Sequence, residues 1–337
     1  VGNGGAAARE DGVVSVSSET FLEPIAGELR ELERRLHETV AADLGPIAEA
    51  MEHIVSAGGK RIRPALLILS AKLGHADFDH VYSAAMGIEF IHTATLIHDD
   101  LIDDAETRRG LATIHAVLGA NPAIIVGDYY FGKGANLLSS IGIPLITQVV
   151  SATVMKICMG ELQQLTSKRH YEQPVEDYYT KIERKTATML SAACHCGAIV
   201  AAMGEREQHA LERYGRDLGI AFQIADDVLD YTATEEQLGK PTGADLRQGT
   251  VTLPLMYALK DPTVGPSLRP LLAQEPLSDA NCDAVVALVR GSRAVEEAES
   301  RAHEFADRAR AELHVFPDSE ARRALESICD YVVERRT

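Results

Sequence analysis

Residues 96 to 110, LIHDDLIDDAETRRG, place five acids and two adjacent arginines within fifteen positions. At ~3.6 residues per helical turn, Asp99 lies over Asp103 and Asp100 over Asp104. Like charges stacked in this way repel by a few tenths of a kcal/mol per pair, so the pattern calls for a positive partner. The pattern also recurs: LIHDDLID at 96–103 is echoed by QIADDVLD at 223–230, with the same acid spacing on the same apolar background. Two helices carrying matched acids can face each other across a cavity. Asp99, Asp100 and Asp103, with Asp226, Asp227 and Asp230, offer hard oxygen ligands and no soft ligand set, which suits Mg²⁺ better than zinc or copper. Magnesium typically joins one or two carboxylates to substrate phosphates, so the implied third component is a diphosphate. A single acid cluster in so acidic a chain is more often a solvated helix face. Here both clusters follow apolar residues, Ala94, Leu96 and Ile97 in one case and Ile220, Phe222 and Ile224 in the other. Acids at the mouth of a buried helix are costly unless compensated, which favours the functional reading.

The compensating charges are legible too. GGKRIRP at 58–64 sets Lys60, Arg61 and Arg63 after two glycines and ahead of an apolar helix, where backbone approach and a helix N-terminus favour an anion. Arg108 and Arg109 follow the first acid cluster, Lys185 and Thr186 open an apolar segment, and Lys240 lies in GKPTGAD after the second cluster. Each alone is more often a surface charge than a ligand. Their grouping beside buried or glycine-bearing segments points to anion binding.

The elements that must position these groups read as helices. The chain has 337 residues, 46% of them hydrophobic, with 5% aromatic and no tryptophan, and Ala, Leu, Glu and Arg abound. That balance favours an all-α fold. Leu29, Leu32 and Leu36 fall at helical spacing, and ALLILSAKL, AMGIEFIHTATLI and residues 186–204 are apolar all round, as expected for helices at the centre of a large bundle. Residues 1–18, small and Gly-rich, read as a disordered tail, and residues 19–337 as one catalytic domain. A net charge of −17 argues against nucleic acid as a partner. Residues 186–204 carry no Asp, Glu, Lys or Arg, yet their Ala, Gly, Ser and Thr content favours a buried helix over a membrane span, so no transmembrane segment is expected. Five cysteines without a CxxC pair read as buried free thiols in a reducing cytoplasm, and no secretory signal pattern opens the sequence.

These residues resemble the trans-isoprenyl diphosphate synthases (polyprenyl synthetases). The resemblance is carried by GGKRIRP, EFIHTATLIHDDLIDDAETRRG, VGDYYFGKG at 126–134, GELQQL at 160–165, KTA at 185–187 and FQIADDVLDYTATEEQLGKPTGADLRQG at 222–249, in that order. It implies an isoprenoid synthase bundle with a central cavity between two Asp-rich helices, condensing isopentenyl diphosphate with an allylic prenyl diphosphate. It further implies that Asp99, Asp103, Asp226 and Asp230 hold Mg²⁺, three ions when substrate is bound, with Asp100 and Asp227 as supporting acids. Arg108, Lys185, Thr186, Gln223 and Lys240 would contact the allylic substrate, with Arg108, Lys185 and Lys240 assisting departure of its diphosphate. Lys60, Arg63, His92 and Arg109 would hold isopentenyl diphosphate, although a lone histidine such as His92 can also be a satisfied core residue. A homodimer is expected from the resemblance alone.

In that family the growing tail runs beside the helix bearing the first acid motif, and bulky side chains there stop it. Ala94 and Thr95 are small, and the face continues through Ile91, Ile88, Gly87 and Ala84, with Phe90 a partial stop. From Thr95 to Ala84 the helix rises ~16 Å, which favours a product beyond fifteen carbons; a floor supplied by an opposing helix within 135–165 stays open. Geranylgeranyl diphosphate synthase is the alternative product class. A terpene cyclase fits less well given DDVLD, GGKRIRP and RRG. A non-catalytic subunit of a heteromeric synthase fits less well given two complete acid motifs, and a calcium-binding bundle leaves the basic residues unexplained.

Overall fold

The computed structural model of the chain describes residues 20–43, 45, 61–108, 110–234, 242–274 and 276–334; the tail expected over 1–18 and the candidate ligands Lys60, Arg109 and Lys240 lie outside them. Helical spacing of leucine and valine makes the first helix, α1 (Ala26–Ala41), which buries Leu29, Leu32, Leu36 and Val40 and turns its charged face outward. α2 (Ile62–Lys72) buries Pro64 through Ala71 without a break, as its uniform apolarity requires. α3 (Phe78–Ile102) starts where the Asp77 carboxylate accepts the Asp79 amide at 3.0 Å and ends in the first acid motif.

Strand is confined, among the described residues, to one antiparallel pair, β1 (Thr107–Arg108) and β2 (Leu111–Ala112). Gly110, in the turn between them, has φ +77°, a conformation that costs any residue bearing a Cβ. This accounts for the glycine of RRG. The chain continues through α4 (Ile114–Leu118), α5 (Ala120–Ser140), α6 (Pro144–Thr166), α7 (Val175–Ile182), α8 (Thr188–Val200) and α9 (Glu205–Thr232), the last bearing the second acid motif. α10 (Ala244–Arg247), α11 (Leu253–Lys260), α12 (Gly265–Leu272), α13 (Asp279–Arg290), α14 (Ala294–Glu312) and α15 (Glu320–Glu334) complete it. The all-α architecture is as expected. α8 is central: all of it except Ser191 is buried, against α2 and α9, so the uncharged 186–204 stretch is core. Among the described residues, the helix whose length and composition would allow a membrane crossing is instead α6, with a mean hydropathy of 1.3 and 28% of its most apolar stretch buried. Lys156 and Glu161 interrupt its apolar run, unlike the uncharged 186–204 stretch.

α3 and α5 cross with their backbones nearly touching. A Cβ on Gly134 would lie 2.6 Å from the Gly87 carbonyl oxygen and 2.8 Å from Ile91 Cγ1, and one on Gly87 would lie 2.7 Å from Leu138 Cγ. Around the preceding turn of α5, Asp43 accepts hydrogen bonds from the Tyr129 hydroxyl (2.5 Å), the Tyr130 hydroxyl (2.6 Å) and the Lys133 ammonium (2.5 Å). Phe90 stacks on Tyr130 with ring centroids 5.3 Å apart. At ~100° per residue Phe90 is about half a turn from Asp99 and ~40° from Ala94, so it shares the face of Ala94 with its ring held against Tyr130.

Gly134→Val forces these helices apart, and overpacking of this kind costs about 1–3 kcal/mol. Urea denaturation followed by circular dichroism should show a correspondingly lower midpoint. A midpoint equal to that of the wild type would contradict the close approach.

Candidate active site

The two acid motifs are held by different neighbours. On α3, Asp100 is buried and accepts Arg108 Nε at 2.7 and 2.9 Å, with Arg108 Nη2 also 2.7 Å from its Oδ1. Arg108 thus supplies a counter-charge that the acid stack needs, and Asp100 fixes the guanidinium that β1 presents. Asp99 is half-buried, and burial pushes its carboxyl up to about 6 against the pull of Lys185; Glu161 and Asp103 add to the rise, and Arg108 opposes it. Lys185 in turn pairs with the buried Glu161 of α6 at 2.5 Å.

Lys185 and Thr186 stand on a π-helical turn, Glu183–Ala187, between α7 and α8. Such a turn inserts one residue into the helical register and re-aims its side chains. From it a chain of hydrogen bonds reaches the second motif on α9. The Thr186 hydroxyl donates to Gln223 Oε1 (2.7 Å), Gln223 Nε2 donates to Asp227 Oδ1 (2.9 Å), and the Tyr178 hydroxyl donates to Asp227 Oδ2 (2.7 Å). Burial raises the Asp227 carboxyl and nearby Asp245 adds to this, while the Gln223 and Tyr178 bonds resist it. Asp230 is buried and accepts the Ala244 and Asp245 amides at 3.2 and 3.1 Å, so its carboxylate anchors the segment leading into α10. Asp226 is half-buried on the same helix.

Between the motifs lies a cavity of about 210 Å³. Its wall includes the acids Asp103, Asp227 and Asp245, the ammonium groups of Lys181 and Lys185, and the polar side chains of Gln164, Thr186 and Gln223. Of the residues expected from sequence, it unites Asp103, Asp227, Lys185, Thr186 and Gln223. Arg63 and His92 are half-buried on α2 and α3 and do not line it. Arg61, beside Arg63, is committed elsewhere, pairing with Glu33 and Glu89 at 2.6 Å each and tying α1 to α3. Ala94 and Ile91 are buried, Ile91 against Gly134, and the half-buried Thr95 donates to the His92 carbonyl at 2.7 Å. Sequence reasoning missed Glu161, Asp245, Tyr178 and Lys181. The available signal was an acid inside the apolar α6 and another within GADLRQG.

Among the described residues no three His, Cys, Asp or Glu side chains converge as a complete metal shell. A cation here would need further oxygen donors from substrate and water, the coordination that Mg²⁺ prefers. The donor set fits: Asp99 and Asp227 are acids whose charged forms burial disfavours, a cost that a divalent cation beside them would remove.

Without metal, the raised Asp99 pKa makes a stability statement. Its folded value of about 6 exceeds the ordinary 3.8, so the penalty is fully present above pH 6 and disappears as pH falls through 6 toward 4. Asp99→Asn should therefore stabilise the metal-free protein at pH 7.5 by roughly 1–3 kcal/mol. At pH 4 the gain should shrink toward zero. Urea titrations in chelator at both pH values check this, and destabilisation by Asp99→Asn at pH 7.5 would contradict it.

The polyprenyl synthetase family model matches residues 45–289. The chain is 38% identical over 312 residues to heptaprenyl diphosphate synthase component 2 of Geobacillus stearothermophilus, covering 92% of this chain and 97% of that protein. It is 38% identical over 308 residues to octaprenyl diphosphate synthase of Escherichia coli (strain K12), covering 88% and 93%. Its fold matches a crystal structure of polyprenyl synthase from Caulobacter crescentus CB15 complexed with calcium and isoprenyl diphosphate, with a TM-score of 0.88, 33% identity and coverage of 98% and 100%. With that fold around two acid motifs and a common cavity, the chain belongs to the polyprenyl synthetase family of prenyltransferases.

Proposed function

We propose that this chain joins isopentenyl diphosphate head-to-tail to an allylic diphosphate in a Mg²⁺-dependent reaction, giving an all-trans polyprenyl diphosphate longer than fifteen carbons. The observation that carries this reading is the single cavity bounded by both acid motifs together with Lys185, Thr186 and Gln223. Asp99, Asp103 and Asp226 are the residues that would hold the metal, and Mg²⁺ when bound would offset the charge growing on the departing diphosphate. Asp227, fixed by Tyr178 and Gln223, and Asp100, fixing Arg108, support that set, and Asp230 supports it through the backbone it anchors. Lys185 and Thr186, aimed by the π turn, bind the allylic diphosphate together with Arg108, Gln223 and Lys240. Lys60, Arg63, His92 and Arg109 bind isopentenyl diphosphate. Apolar side chains along α3, Ala94 and Ile91 among them, exclude water from the cation formed on ionisation, and the released diphosphate takes up the proton.

Chain length follows from α3. Ala94 leaves room beside the tail, and Leu138 of α5, packed at Gly87, is the side chain on the opposing helix best placed to close the corridor. The names of the heptaprenyl and octaprenyl relatives favour the same long-chain reading. Of the five free thiols expected to be buried, Cys194, Cys196, Cys282 and Cys329 are, whereas Cys158 on α6 is exposed; free thiols suit a reducing cytoplasm. Large apolar side chains are exposed on α5 (Ile124, Ile125, Tyr129, Phe131) and α6 (Leu145, Met155, Met159, Leu162), a surface of the kind that a second copy of the chain covers. A second reading, a heteromeric partner on this face, takes its support from the component 2 name of one relative.

Incubation with Mg²⁺, isopentenyl diphosphate and farnesyl diphosphate should yield products longer than the primer, sized after extraction. No elongation across several primers would overturn the proposal. Ala94→Phe should shorten the product while turnover persists, and an unchanged distribution would show that the tail does not pass Ala94. Light scattering should return twice the 36.5 kDa chain mass, and Ile125→Asp with Leu162→Asp should halve it. A monomer that gains activity only with another chain would favour the heteromer.

A further inference from the structure

One cation in the cavity has no role in the reading above. Lys181 lies one turn before Lys185 and is 4% exposed. It shares the cavity wall with Lys185, Thr186, Gln248 and the acids Asp227 and Asp245. Its ammonium donates to the Val251 carbonyl at 3.3 Å and stands 5.6 Å from the centroid of the Tyr178 ring. An ammonium has three N–H donors, and one long hydrogen bond to a neutral carbonyl leaves much of that capacity unspent. Burial disfavours its charge, and the field of Asp227 and Asp245 sustains it. A lysine serving only to fill space here would be replaced at lower cost by an apolar side chain of similar volume.

The cavity's composition indicates what the spare donors meet. Lys181, Lys185 and Thr186 line the cavity together with the carboxylates Asp103, Asp227 and Asp245. An anion with several oxygens, bound with divalent metal, satisfies both sets at once. Resting on the functional reading above, we propose that Lys181 is a further ligand of the allylic diphosphate, donating to its oxygens beside Lys185. Its hydrogen bond to Val251 then links the occupied cavity to the segment between α10 and α11, so anion binding and the packing of that segment reinforce each other.

The probe is inorganic diphosphate with Mg²⁺, titrated calorimetrically into the full chain, wild type against Lys181→Met and Lys181→Arg. Loss of a charge-assisted hydrogen bond should weaken binding by about tenfold to a hundredfold in Lys181→Met. In steady-state assays the KM for the allylic diphosphate should rise similarly, while that for isopentenyl diphosphate changes by less than about twofold. Melting temperatures without ligand should match the wild type, and recovery in Lys181→Arg attributes the effect to charge. Binding within twofold of wild type in Lys181→Met overturns the assignment. So does an equal rise in both KM values, or a loss of binding that accompanies a lowered melting temperature. Failure of the wild-type chain itself to bind magnesium diphosphate is a different result, which removes the functional reading and this inference with it.

Discussion

Carboxylates kept in a partly buried cavity are the constraint on which the rest of this structure depends. Asp99 and Asp227 are both pushed toward protonation by burial, and each neighbour answers that cost in a different way. Tyr178 and Gln223 hold Asp227 by hydrogen bonds, Arg108 neutralises Asp100, and Lys185 stands between Asp99 and Glu161. The ligand-free arrangement is therefore an electrostatic compromise in which cations suited to a diphosphate are paired with acids suited to metal. Arrival of metal and diphosphate together would let each charge find its stronger partner.

Such a compromise requires elements that do not yield. α3 is fixed against α5 by the Gly87–Gly134 crossing, and α5 against α1 by the Asp43 cluster with Tyr129, Tyr130 and Lys133. The π turn leads directly into α8, buried but for Ser191, which sets the position of Lys185 and Thr186 relative to α9. α5 and α6, by contrast, leave large apolar side chains such as Ile125, Met155 and Leu162 exposed.

Much of this was legible in the sequence, because type and spacing are enough to recognise a pair of matched acid motifs and apolar helices without strand periodicity. The partnership of Arg108 with Asp100 could be anticipated from charge alone. Contacts that depend on chain crossing were not legible. Nothing in GELQQL says that Glu161 meets Lys185, and nothing in VGDYYFGKG says that its tyrosines and lysine converge on Asp43. Phe90, four residues before Ala94, shares its helical face, but nothing in the sequence says that its ring meets Tyr130 of α5. Asp230 matches its counterpart Asp103 in pattern, yet the fold turns it to backbone amides. The π turn escaped as well, since KTA differs in no residue type from an ordinary helical turn.

The central claim is that both acid motifs act on one metal–diphosphate unit. It is tested most directly by electron paramagnetic resonance of Mn²⁺ added to the chain with and without inorganic diphosphate. Diphosphate should tighten Mn²⁺ binding strongly in the wild type, and Asp99→Asn or Asp226→Asn alone should each abolish that synergy. Mn²⁺ binding that is indifferent to diphosphate, or synergy that survives neutralisation of either motif, would contradict it.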